Sequence, residues 1–529
     1  MGKTGALMAS AAIIALSVSA AASAETLRFT FQGDVSTLDP HGLNETFTLG
    51  FQGNIYEGLT RRGPDLEIEP SLAESWEIVE PTRWRFHLRE GVTFHNGNPF
   101  TAEDVAFTYE RTKAEGSDLR TRVSGITAVE VVDDHTVDFV TEVPNPILHF
   151  EWDTWYIMDK EWSEANNAAM PTNVSDPNSD NYANLNANGT GPFMIEERTP
   201  DVRTTAVPNP DWWDEATHNL TRVEFQPIAN DSTRVAALLS GEMDMAYPIP
   251  LQDIQRVEQN EGTRTLTGPE LRTIFLGMDQ ARDELLYSDV EGANPFKDRR
   301  VREAFYRAID IQAIQRVVMR GQSTPSAAMV APGVNGFPAD MDRYEYDPDL
   351  ARELLAEAGY PDGFRVTMDC PNDRYVNDEA ICTAVVGMLG QVGVEVDLLA
   401  QTKSLYFAKV LAQGGYDTSF YLLGWTPGSF DSWNVLYNIV GSRDEGGRGS
   451  FNLGGYSNPE LDALTDQVLV ETDLERRAEL IDQAWAIEHQ DISHIPLHQQ
   501  ALAWGASDDV DLAQRADNQF VWRHVTIAE

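Results

Sequence analysis

The sequence predicts an α/β fold built as two or three lobes, and three observations lead there. Strand-like alternation and helix-like periodicity mix along the whole chain instead of separating into blocks. With a leader set aside, 529 residues leave about 505, more than a single core usually supports. Finally, one local unit occurs twice, far apart. Val235 to Ser240 closes a helix at Gly241, and Met243 to Ala246 opens a strand. Phe407 to Ala412 closes another at Gly414-Gly415, and Tyr416 to Phe420 opens a second strand. Helix, glycine cap, acid and strand make half of an α/β unit, so two copies point to two lobes of similar design.

The first element is a targeting segment. Lys3 is its only charge, Ala11 to Leu16 is apolar, and Ala22-Ser23-Ala24 fits a cleavage site. This predicts a signal peptide over residues 1–24, a mature start at Glu25 and export to the periplasm of a Gram-negative cell. The apolar run is short for a membrane anchor. No cysteine lies near the cleavage site, so no lipid anchor is expected.

Next comes the most informative stretch, AESWEIVEPTRWRFHLREGVTFHNGNPFTAEDV from Ala73 to Val105. Trp84, Phe86 and Leu88 alternate with Arg85, His87 and Arg89, the period of a half-buried strand. Glu90-Gly91 turns the chain into a second short strand at Val92 to His95, and Asn96-Gly97 is a turn dipeptide. Thr101 with Asp104 is a capping-box start to a helix.

Further on, Leu271 to Met278 reads as a strand. Asp298 opens a periodic helix through Val301, Phe305, Ile309, Ile314 and Val318 to Gly321. Asp347-Pro348 opens another that ends at Gly359. Phe364 to Asp369 reads as a strand ending at Cys370, with Cys382 early in the following helix. Ser457 to Glu460 caps a helix, Glu475 to Glu488 is amphipathic, and Ile495 to Leu497 reads as a short buried strand.

Composition narrows function. The chain has 39 Lys+Arg against 84 Asp+Glu, a net charge of −45. No basic patch exists to displace counterions from nucleic acid, and anionic lipid would be repelled. The acids are dispersed, as on a solvated surface. In an oxidising compartment Cys370 and Cys382 invite a disulfide stapling the loop between them; the alternative is two buried free thiols. No further ligand lies at zinc spacing, so no metal is expected, and His489, His494 and His498 do not fit one strand face. No G-x-S-x-G, H-E-x-x-H or phosphate loop appears, so an enzyme is not expected and no cofactor is implied; a secreted hydrolase is the remote alternative, distinguished by turnover.

The Ala73–Val105 wording resembles the signature of the family 5 solute-binding proteins of bacterial ABC importers. Ser36-Thr37-Leu38-Asp39-Pro40-His41, Tyr56-Glu57-Gly58-Leu59 and Gly189-Thr190-Gly191-Pro192-Phe193 extend the resemblance. It implies a periplasmic-binding-protein-like fold: two α/β lobes joined by crossing strands, with an extra domain inserted in lobe one. Lobe one would take residues 25–60, 190–275 and 500–529, the inserted domain 61–189, and lobe two 276–499. Leu271 to Met278 would be the first crossing strand, with His498 to Gln500 near the return. The implied role is capture of a solute between the lobes and delivery to permease subunits in the inner membrane, by a monomer.

The resemblance also orders the candidate site residues. Gly424-Trp425 to Trp433-Asn434 would lie at the carboxyl end of a strand, where open α/β sheets bind ligands. Trp425 and Trp433 would form a cleft wall; the alternative is a surface loop with tryptophans anchored in the core. Many peptide-binding relatives carry an aspartate three residues after that tryptophan to hold the α-amino group. Gly428 stands there, and Asp431 is the nearest acid. In the next candidate loop, Arg374 could fork onto a carboxylate and Tyr375 could stack, or Arg374 could pair with Asp378 one helical turn on. Tyr56 is a contact candidate from lobe one, and Trp212-Trp213 reads as packing. The expected solute is an oligopeptide or dipeptide. Gly428 and the tryptophans leave an oligosaccharide or other small solute open.

Overall fold

The computed structural model describes residues 25–172, 181–445 and 447–528; residues 1–24, where a signal peptide is expected, lie outside the described residues. No helix among them is long and apolar enough to cross a membrane. An eleven-stranded sheet runs through both lobes, with two long antiparallel strands at its middle, Thr263–Met278 and His494–Ser507. Beyond one flank lie Met245–Tyr247, Glu25–Phe31, Leu220–Phe225, Arg203–Pro208 and Phe193–Thr199, in that order. Beyond the other lie Phe420–Trp425, Arg365–Pro371 and Glu395–Gln401.

The long strands change neighbours along their length. Met278 to Thr273 pairs with Phe420 to Trp425, whereas the far end of the return strand pairs with Met245 and Ala246. Between these zones the register shifts, from Pro269 to Thr273 opposite Ala501 to Gln499. Pro269 has no N–H to give the ladder, so a break there is expected. The two repeated units fall on opposite flanks. Asp231–Leu239 leads into Met245–Tyr247, and Lys403–Val410 leads towards Phe420–Trp425. Gly241 and Gly415 cap the turns at φ 73 and 74, backbone that glycine adopts without strain.

A separate four-stranded antiparallel sheet contains Ala73–Glu80, Arg83–Leu88, Thr136–Thr141 and Ile126–Asp133. Trp84, Phe86, Phe139, Trp152 and Trp155 give it its own core. The helix Ala102–Lys113 begins at the Thr101–Asp104 capping box, where Asp104 Oδ2 accepts the Thr101 N–H at 2.9 Å. In lobe two, Phe420 and Leu422 enter the core on one side of the sheet, Tyr421 and Leu423 that on the other. A strand buried on both faces reads as a continuous apolar run, which FYLL is.

Three expectations need correcting. Val92 to His95 forms no ladder strand: the chain folds back over Asn96-Gly97, with one bridge between Thr93 and Pro99, and Val92 and Phe94 bury locally. The Asp298 helix does not run unbroken to Gly321. It spans Arg299–Ala308 and restarts at Ile311, because Asp310 caps a new turn by accepting the Ala313 N–H. Ile495 to Leu497 is not an isolated short strand but the start of the long return strand.

Candidate functional site

A cavity of about 760 Å³ lies where the two long strands cross. Glu270, Arg272 and Gln500 to Trp504 form its floor, Phe31, Phe47 and Tyr247 line it from one lobe, and Asp373 to Asn377 with Lys403 line it from the other. Aromatic walls with a few convergent charges are the usual make-up of a small-molecule site.

The Asp373 to Asn377 loop is fixed from several directions. A disulfide joins Cys370, at the end of Arg365–Pro371, to Cys382, inside Asp378–Gly390. The Asp378 carboxylate accepts the backbone N–H groups of Arg374 and Tyr375 at 2.9 and 3.0 Å. Asn377 adopts φ 56, a left-handed turn that asparagine tolerates, and its Nδ2 donates to Val318 O. Gln500 Oε1 accepts the Val376 N–H at 3.1 Å, and Gln500 Nε2 donates to Glu270 Oε2 at 2.6 Å.

Arg374 and Tyr375 therefore face the cleft together. The Arg374 guanidinium lies 5.1 Å from the centre of the Tyr375 ring. It does not pair with Asp378, whose carboxylate serves the backbone, and it forms no ion pair among the described residues. Burial, then the nearby Arg272 charge, lowers its pKa. For Arg272 burial works the same way, but Glu270 outweighs it and holds the pKa above the ordinary value. Tyr375 is largely buried and donates its hydroxyl to Gly424 O at 3.3 Å. A Cβ on Gly424 would stand 2.8 Å from the Tyr375 ring, so the glycine beside Trp425 makes room for that tyrosine.

The other candidates fall outside this cavity. Asp431 is fully buried: both carboxylate oxygens meet Arg477 at 2.8 Å, Oδ2 also accepts from Asn335 Nδ2, and Oδ1 caps the Trp433 N–H. A carboxylate so engaged has no capacity left for a ligand ammonium. Trp425 packs on Phe451 at 4.7 Å and donates to Asn434, while Trp433 packs on Tyr437 at 4.8 Å; both belong to the lobe-two core margin. Tyr56 is buried beside Tyr156 and borders a separate polar pocket of about 40 Å³. Trp212 and Trp213 do more than pack, since their indole N–H groups both hold the Glu57 carboxylate. The signal for the missed residues was weak: Glu270 and Arg272 flank Leu271 in the middle of a long strand, with nothing local to show which way they face.

The chain matches the family of bacterial extracellular solute-binding proteins, family 5 middle region, over residues 67–447. The glutathione-binding protein GsiB of Salmonella typhimurium is 25% identical over 474 residues, covering 87% of this chain and 86% of the relative. Among solved structures, the ABC transporter-associated periplasmic binding protein DppA of Helicobacter pylori, in complex with the peptide STSA, superposes with a TM-score of 0.74. It is 24% identical, covering 96% of this chain and 98% of that one. The binding protein AgaA of A. tumefaciens R10, in complex with agropinic acid, superposes at 0.71 with 23% identity, covering 96% and 99%. The family match spans well over half the sequence and the two-lobed fold agrees with it, so this chain belongs to the family 5 bacterial extracellular solute-binding proteins.

Proposed function

We propose that this protein captures a short peptide in the cleft between its lobes, in the periplasm and as a monomer, and delivers it closed to the permease subunits of an ABC importer. The observation that carries the peptide reading is Arg374, a guanidinium without an ion pair among the described residues that lies over Tyr375 in an aromatic cleft. A peptide carboxylate would complete it. A volume of about 760 Å³ suits a small solute better than a long chain. Contacts to both lobes exist only when the cleft is closed, so ligand shifts the population towards that form.

A second reading is a different small carboxylate solute. Gly428 favours it, because the loop after Trp425 offers no free acid for an α-amino group. The agropinic acid complex of AgaA shows that such a solute can be held in this fold. An oligosaccharide stacked on Trp425 and Trp433 has less support, since neither ring lines the cleft.

Native mass spectrometry of the purified mature protein, with the released solute fragmented, tests the proposal. A series of peptides is the expected result, and a single non-peptide acid would replace it with the second reading. Arg374→Ala should weaken the released solute by about tenfold or more in calorimetry, given the ~1.5–3 kcal/mol of a hydrogen bond to a charged group. Unchanged affinity would remove Arg374 from the site.

A further inference from the structure

The hairpin built on Thr60–Arg62 and Ile68–Pro70 sends its apolar residues to two different cores. Its strands pair antiparallel, and the chain turns between them with the Leu66 N–H donating to Gly63 O at 3.1 Å. Leu59 and Leu72, at the root, pack with Trp84, Phe86 and Trp152 in the core of the four-stranded sheet. Leu66, at the tip, does not join them. It is 5% exposed and belongs with Leu271, Phe275, Val334 and Tyr421 to a core of lobe two. Gly333 marks the contact, since a Cβ there would stand 3.9 Å from Leu66 Cδ1.

Leu66 also adopts φ 68. Left-handed backbone crowds a bulky side chain, so glycine or asparagine ordinarily fills such a turn. The cost needs an offset. Arg62 supplies part of it: its Nη1 donates to Leu66 O at 2.9 Å while its Nε holds Asp153 at 2.7 Å, which braces the turn on its own domain. Burial of the side chain against lobe two supplies the rest. With the lobes apart, Leu66 would stand at a hairpin tip outside any core, and the backbone cost would remain without that gain.

Resting on the solute-capture reading above, we propose that Leu66 is a latch: an affinity-determining residue that favours the closed form without touching the solute. It lies outside the cavity of about 760 Å³. A contact that stabilises only the closed form raises affinity for every solute alike, so the latch sets how firmly solute is kept and leaves its identity to the cleft.

The test uses mature protein spin-labelled through Glu110→Cys and Glu479→Cys, two exposed positions on the helices Ala102–Lys113 and Leu474–Asp491. Pulsed electron resonance reads the distance between the labels, with and without the co-purified solute, in the parent and with Leu66→Gly or Leu66→Met added. In the solute-free protein Leu66→Gly should lower the ratio of closed to open forms by about tenfold or more, the equivalent of exposing a leucine side chain. Leu66→Met, which keeps an apolar reach, should stay near the parent. After identical dialysis, native mass spectrometry should find less co-purified solute on Leu66→Gly than on the parent. The urea midpoint of solute-free Leu66→Gly should not fall, because the open form does not use the side chain and glycine relieves the turn. Parent distances that respond to solute but are unchanged by Leu66→Gly overturn the latch and leave solute capture by closure standing. A fall in the urea midpoint with unchanged distances also overturns it, making Leu66 an ordinary core residue. A single parent distance, the same with and without solute, overturns closure itself and the latch with it.

Discussion

Asp431 and Arg477 form a bidentate ion pair that is almost completely shielded from water, with Asn335 and the Trp433 N–H filling the remaining lone pairs. Removing one partner leaves the other charged and buried, which is far worse than never having had the pair. Arg477→Ala should therefore lower unfolding free energy by about 3–5 kcal/mol in urea titrations. Solute affinity of the folded fraction should stay near wild type, because the pair lies outside the cleft. A strong affinity loss at full folding would return Asp431 to the list of ligand contacts. Gly189 shows the same residue-scale logic in the backbone: a Cβ there would stand 2.0 Å from Ile55 O, so no side chain fits.

At the scale of elements, the Asp373 to Asn377 loop is a short connection stapled at both ends. The Cys370–Cys382 bridge closes a ring of sequence separation 12 around it, and Asp378 holds its backbone from inside. The double variant Cys370→Ala with Cys382→Ala should lose about 2–4 kcal/mol of stability, the usual contribution of a bridge closing a short loop. It should also bind solute more weakly than wild type, since Arg374 and Tyr375 would be held less firmly. Urea titration and calorimetry on the same samples separate the two effects. Stability falling with affinity unchanged would mean that Asp378 and Gln500 alone hold the loop in place.

Over the whole molecule, contacts distant in sequence also form away from the long strands. Arg62, paired with Asp153, reaches Ser429 O at 3.3 Å and lies 4.3 Å from the Phe430 ring, so the loop after Trp425 docks against an arginine from the other side of the cleft. Buried histidines contribute to the global response to pH. His41, His494 and His498 are pushed from 6.5 down to about 3, in each case first by burial, with Arg111 adding to the effect at His41 and Arg343 at His498. A group whose pKa is lower folded than unfolded contributes stability above pH 6.5 and loses it as pH falls towards 3. Glu488 acts oppositely: burial raises it to about 7, so its contribution is lost as pH rises through that value. Urea stability should thus fall between pH 6 and 4, and His498→Leu should flatten that fall by up to about 1.4 kcal/mol per pH unit, one proton's worth. An unchanged slope would show that His498 titrates normally in the folded chain.

The sequence by itself determined what depends on neighbours in the chain. Alternation in Trp84 to Leu88, the Thr101–Asp104 cap, the Asp347-Pro348 helix start and the glycine turns at 241 and 415 all act within a few residues, and together they specified an α/β chain of two lobes. The segment resemblance added the crossing-strand architecture. Tertiary structure alone decided which loop lines the cavity at the long strands. Both the Trp425–Trp433 loop and the Arg374–Tyr375 loop follow strands of one sheet and look alike on paper. What separates them is distant pairing: Arg477, 46 residues on, claims Asp431, and Arg62, 367 residues back, takes Ser429, while Gln500 draws the Tyr375 loop to the crossing. Arg272 was legible as a charge at the start of the apolar end of its strand, but it lies at a register break against residues 499–501, and no local pattern encodes that.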